Sequence, residues 1–273
     1  MNRLSIGILI VVLAGGSGCA APRQEIIRTC CLTGREQGVI FAVDGAGGFQ
    51  ATSKAISQAV AEAHLPYVTV PVEWSHGYMR FVADQIDWAY SRECGCKLAG
   101  EIAAYRQAHP QGKVYLIAHS AGSAVCLAAA EALPPDSIER IILLSPSIAS
   151  DYDLRPSLRS AREGIDVFCS RLDIWQLGLG VALVGTADGC RGCAAAGRVG
   201  FLVPSSSCLS SGKESCRVNG TYPEDAALYA KLRQHPWDGC LAWTGNRGGH
   251  YGGYRLEFLQ AYVLPLLDER PPQ

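Results

Sequence analysis

The stretch that most constrains this chain is Lys113 to Gly122, KVYLIAHSAG, where an apolar run stops at a polar residue flanked by small ones. Val114 to Ala118 reads as a fully buried parallel strand, because β-branched and aromatic residues follow one another without polar alternation. Ala121 to Leu133 then has the alanine content and apolar spacing of a helix, and Pro134-Pro135 stops it. Ser120 therefore stands in the turn from strand to helix, with Ala118 two residues before it and Gly122 two after. A strained turn of that kind tolerates no bulk on either side, and it holds a hydroxyl out at the carboxyl edge of a sheet. The structural alternative is a serine that merely caps the helix of an ordinary strand-helix unit.

The same pattern recurs along the chain. Gly38 to Val43 is a second buried run and leads into Asp44-Gly45-Ala46-Gly47-Gly48; Ile138 to Leu144 and Ile165 to Cys169 are further buried strands. Tyr67 to Trp74 reads as a strand whose Pro71 marks an edge or a bulge, and Arg198 to Val203 is a candidate for the last strand. Between them, Thr52 to His64 and Leu256 to Leu267 have helical spacing, and Phe81 to Arg106 is a long helical pattern interrupted around Cys94-Gly95-Cys96. Strands alternating with helices predict an α/β fold, a mostly parallel central sheet flanked by helices, with ligands at the carboxyl ends of the strands. A length of 273 residues, 48% of them hydrophobic, suits one such domain. A formal charge of −1 without basic runs leaves no footprint for nucleic acid.

Ala118-His119-Ser120-Ala121-Gly122 resembles the G-x-S-x-G elbow of the α/β-hydrolase family, with Ala118 in place of the first glycine. The resemblance extends from about Gly38 to Leu267 and implies the chain order Ser…Asp…His. Asp173, after the late strand Ile165 to Cys169, falls where the family keeps its acid, although a helix cap or a partner for Arg171 is the plainer reading of that residue. His250 lies in the glycine-rich loop TGNRGGHYGG ahead of the last helix, where the family keeps its base. Asp188, Asp225 and Asp238 lie in the same interval as Asp173, and His76 and His119 are the other histidines considered as bases; all rank below Asp173 and His250. By the same likeness the N–H groups of Ala46 and Ala121 form the oxyanion hole, with Asp44 standing where the family's loop often carries histidine. The activity implied is that of an esterase- or lipase-like serine hydrolase acting on a small-molecule or lipid ester, without cofactor. An acyltransferase using the same three residues and a non-catalytic binding protein on the same fold are the alternatives.

The amino terminus reads as a targeting segment over residues 1–21: Arg3, the apolar Ile6 to Ala14, then small residues to Ala21. It implies export to the periplasm, the outer envelope or the medium. Cys19 resembles the lipid-modified cysteine of bacterial lipoproteins and would attach the chain to a membrane; an ordinary signal cleavage near Ala21 competes with that reading. Residues 22–37 follow as a linker and 38–273 as the hydrolase domain, with a Cys- and Gly-rich insertion over about 174–240 that is either a lid or a loop pinned by disulfides. Twelve cysteines in an exported chain point to disulfides, at Cys190 and Cys193 among others, while a zinc site built on that C-x-x-C lacks a second pair at the usual spacing. Cys126 and Cys169 fall in apolar runs and read as buried small hydrophobes.

Overall fold

The computed structural model describes residues 37–203 and 223–267. The expected targeting segment with Cys19, all of the linker except Gln37, and Cys30, Cys31, Cys208 and Cys216 lie outside the described residues.

Strands β1 (Gly38–Val43), β2 (Tyr67–Val72), β3 (Lys113–His119), β4 (Arg140–Leu144), β5 (Ile165–Cys169) and β6 (Leu232–Pro236) form one sheet. Their order is β2-β1-β3-β4-β5-β6 and every pairing is parallel. Pro71 lies in β2, which is an edge strand, where its missing N–H costs no ladder bond. The four apolar runs of the sequence are the four central strands, because a strand covered on both faces has no polar side to show.

Both faces are covered. Phe41, Leu116, Leu143 and Val167 meet the helices Trp88–Ala108, Gly122–Glu131 and Arg155–Ser160 on one side. Ile40, Ile117, Ile142 and Phe168 meet the helix Ala51–Glu62 and the closing helical run from Leu256 to Leu266 on the other. The chain changes winding direction between β1 and β3, which are neighbours in the sheet, so their carboxyl ends flank the crevice where such sheets bind ligands.

Two sequence expectations are corrected. The last strand is β6, LRQHP, and not Arg198 to Val203, where a short helix Ala196–Val199 leads into coil. β6 is held by polar groups instead of apolar ones: Arg233 and His235 both donate to Asp166 of β5, at 2.8–3.0 Å, and Gln234 bonds both the N–H and the C=O of Phe201. The helical break expected at Cys94-Gly95-Cys96 is instead at Asp87, between Phe81–Ile86 and Trp88–Ala108. Asp87 caps the second helix by accepting from the Tyr90 N–H at 3.0 Å. Gly95 continues that helix and lets it touch its neighbour: a Cβ there would lie 2.6 Å from the Ala128 Cβ.

Among the described residues Cys190 and Cys193 form a disulfide, which takes up both sulfurs of the C-x-x-C. Cys126 and Cys169 are buried in the core, as their apolar surroundings in the sequence imply. No helix of the described residues is long and apolar enough to cross a membrane.

Candidate active site

Ser120 follows the last residue of β3 and has φ +53°, the left-handed region that a serine adopts only under constraint. The constraint is visible on both sides. The Ser120 N–H donates to the Leu144 carbonyl at the end of β4, and the Ser147 N–H donates to the Ser120 carbonyl, each at 3.1 Å. Gly122 passes so close to β1 that a Cβ would lie 2.3 Å from the Asp44 carbonyl oxygen and 2.9 Å from that of Val43. The glycine two residues after the serine is therefore required by packing against backbone, which cannot yield.

The structure brings together Ser120 at the end of β3, Asp173 after β5 and His250 from the loop ahead of the closing helical run. His250 Nε2 lies 2.9 Å from Ser120 Oγ and His250 Nδ1 lies 2.6 Å from Asp173 Oδ2. Because a carboxylate can only accept, Nδ1 carries the proton, and Nε2 is free to accept from the serine hydroxyl. All three residues are buried, with Asp173 only 1% exposed. Asp173 also does what its plainer reading implied: its Oδ1 accepts from the Leu177 N–H at 3.2 Å at the start of the next helical segment, which fixes the carboxylate while Oδ2 faces the imidazole.

The competing residues are occupied elsewhere. Asp188 accepts from the Ala149 N–H, Asp225 pairs with Arg155, and Asp238 caps the turn at Cys240. His76 does not line the crevice; its ring packs at a tilt against Tyr90 and its Nδ1 lies 2.9 Å from Asp84. Ser75, Asp84 and His76 make a second serine, aspartate and histidine group, but there the carboxylate lies between the other two, so the hydroxyl donates to Asp84 and not to the imidazole. His119 lines the crevice. Its Nε2 donates to the His250 carbonyl at 3.0 Å, and complete burial, reinforced by the neighbouring His250, pushes its pKa down to about 3. It is a neutral donor, not a base.

The loop after β1 closes on the serine from the other side. A Cβ on Gly45 would lie 2.8 Å from His119 Nδ1 and 3.2 Å from Ser120 Cβ, so only backbone fits there, and Ala46 follows in the cavity wall. Asp44 does not occupy a histidine's role: its Oδ1 caps the helix Ala51–Glu62 through the Thr52 and Ser53 N–H groups, and its carbonyl accepts from Trp74 Nε1. Ala121, buried, opens the turn into the helix Gly122–Glu131.

Above Ser120 and His250 lies a cavity of about 580 Å³, walled by Phe49, Phe81, Leu177, Val181, Val184 and Tyr254. Leu177 and Val181 belong to the helical segment Trp175–Val184 that follows Asp173, so part of the region read from sequence as an insertion forms this wall. The other side of the segment presents Trp175 and Leu183, 72% and 76% exposed. Its far end is tied back through Gln85, whose Nε2 donates to the Gly185 carbonyl and to Ser147 Oγ.

A family model described as the alpha/beta hydrolase fold matches residues 48–168. No curated protein matches the sequence. Among solved structures, esterase PE8 is 16% identical with a TM-score of 0.49, over 85% of this chain and 94% of that one. The LpqC poly(3-hydroxybutyrate) depolymerase of Bordetella parapertussis is 14% identical with a TM-score of 0.47, over 88% and 83%. A protein of Bacillus cereus ATCC 10987 is 13% identical with a TM-score of 0.46, over 87% of this chain, which spans 61% of that one.

Proposed function

The chain is a member of the α/β-hydrolase superfamily, and on that premise we propose that it is a serine hydrolase that cleaves carboxylic esters through an acyl-enzyme on Ser120. The observation that carries this reading is the buried chain of contacts from Asp173 through His250 to Ser120, on a strained turn at the floor of an apolar cavity.

In this mechanism Ser120 Oγ attacks the ester carbonyl carbon while His250 Nε2 takes its proton. The carbonyl oxygen becomes an oxyanion held by the N–H groups of Ala46 and Ala121, and Asp173 stabilises the imidazolium through Nδ1. Collapse of the intermediate breaks the bond to the alcohol, which leaves with the proton from His250. Water then repeats the sequence on the acyl-enzyme and releases the acid. The apolar walls favour esters with an apolar acyl or alcohol part, lipid esters included. Export is part of the proposal, supported by the order of charged, apolar and small residues in 1–21 and by the Cys190–Cys193 disulfide, with Cys19 as the residue that would carry a lipid anchor.

A fluorophosphonate probe tests the reading, because it modifies only an activated serine. Labelling at Ser120 and hydrolysis of p-nitrophenyl esters are expected in the wild type. Ser120→Ala should abolish the first and reduce the second by more than about 10³-fold while the protein stays folded. Unchanged hydrolysis by the pure variant overturns the assignment, and alkyl-ester products formed on adding alcohols would redirect it to acyl transfer.

A further inference from the structure

Asp84 is a buried carboxylate, 1% exposed, that the mechanism above does not use. It lies on the short helix Phe81–Ile86 and accepts four hydrogen bonds, two on each oxygen. Oδ1 takes the His76 N–H at 2.7 Å and faces His76 Nδ1 at 2.9 Å; Oδ2 takes the Ser75 hydroxyl at 2.6 Å and the Gly47 N–H at 2.8 Å. Donors to an ionised carboxylate are stronger than neutral ones, so this is a firm knot inside the protein.

Gly47 is the residue after Ala46, and two hydrogen bonds to residues of the segment 79–84 hold it. Its N–H is held by Asp84 and its carbonyl accepts from the Met79 N–H at 3.0 Å. Its φ of +98° leaves a Cβ no room, since that atom would lie 2.6 Å from the Phe81 ring. On the other flank, Gly45 packs against His119 and Ser120. Ala46 is thus suspended between a residue pressed on the nucleophile and a residue tied to Asp84.

We infer that Asp84 is a positioning residue for ester hydrolysis: through the Gly47 N–H it fixes the loop 44–48 so that the Ala46 N–H faces the oxyanion formed on Ser120. This rests on the function proposed above. An oxyanion donor acts only if its direction is set before the charge develops, so loosening the loop should weaken transition-state binding and leave ground-state binding alone.

The test compares wild type, Asp84→Asn and Ser120→Ala with p-nitrophenyl butyrate as substrate and an alkyl trifluoromethyl ketone as transition-state analogue, which adds Ser120 Oγ and forms an oxyanion. An amide offers one oxygen to donors that now use two, so Asp84→Asn should lower kcat by about 10- to 100-fold. KM should stay within about twofold, and affinity for the ketone should fall by the same factor as kcat/KM. A folded Asp84→Asn with wild-type kcat, or with a raised KM and unchanged kcat, overturns the inference while leaving the role of Ser120 intact. If Asp84→Asn does not fold, Asp84→Glu, which keeps the charge and moves it by one methylene, is read in the same way. Failure of both to fold assigns Asp84 to structure and overturns the inference. A wild type without Ser120-dependent hydrolysis or labelling overturns the proposed function, and this inference falls with it.

Discussion

His119 Nε2 donates to the backbone carbonyl of His250 at 3.0 Å, so the residue next to the elbow serine holds the histidine that faces that serine. Burial keeps that ring neutral, with a pKa of about 3 against an ordinary 6.5, even though the bond itself favours the protonated form. The unfolded chain takes up a proton on His119 near pH 6.5 and the folded one does not. The stabilising contribution is therefore complete above that pH and lost as pH falls from 6.5 toward 3, at about 1.4 kcal/mol per pH unit. Between pH 7 and pH 5 denaturant unfolding should show the wild type losing about 2 kcal/mol more than His119→Gln, whose amide donates without titrating. Equal losses in the two proteins would show that His119 does not carry this dependence.

Asp173→Asn keeps the side-chain shape and can hold His250 in the wrong tautomer. Turnover of p-nitrophenyl esters is expected to fall by about 10⁴-fold, with a Tm close to that of the wild type. Asp188→Asn, Asp225→Asn and Asp238→Asn, whose carboxylates are engaged away from His250, should keep most activity. Retained activity in Asp173→Asn beside a loss in one of the others would transfer the role of the acid to that residue.

Gly122→Ala places a methyl group against two backbone carbonyls, at 2.3 and 2.9 Å, and the elbow cannot yield without moving β1 or β3. A loss of at least about 3 kcal/mol of stability, or no folded protein, is expected. Gly100→Ala is the control. It lies exposed in the helix Trp88–Ala108 with nothing within 4 Å of an added Cβ, so the same change there should stabilise by up to about 1 kcal/mol. Thermal unfolding of the two variants decides whether the elbow, and not glycine content, is what matters.

Val181 lines the cavity from the helical segment after Asp173. Val181→Phe narrows the space above Ser120 without touching the reacting groups. The ratio of kcat/KM for p-nitrophenyl octanoate to that for p-nitrophenyl acetate should fall by about tenfold or more, since each methylene excluded from an apolar site is worth about 1 kcal/mol. An unchanged ratio would place the acyl chain along another wall.

What the amino-acid order determined alone is the centre of the sheet and the serine turn. β1, β3, β4 and β5 are covered on both faces, and that burial is written into apolar runs, interrupted in β5 by Asp166, that need no partner to be recognised. Ser120, Asp173 and His250 were legible for a related reason: each follows a strand or precedes a helix whose local pattern is strong, and their chain order matched a known family. The tertiary structure decided the rest. β6 is an edge strand whose Arg233 and His235 find their partner in Asp166, 67 and 69 residues away, so no local pattern announces it. Asp166 itself, buried on β5, is drawn below the ordinary carboxylate range because hydrogen bonds from His235, Arg233 and Arg140 outweigh the cost of burial. The helix break at Asp87 depends on a cap, while Gly95 answers to a neighbouring helix and not to its own. Asp84 is the plainest case. Its meaning lies in a contact with Gly47, 37 residues earlier in the chain, and a carboxylate's distant partners are set by how the chain packs, which local periodicity does not encode.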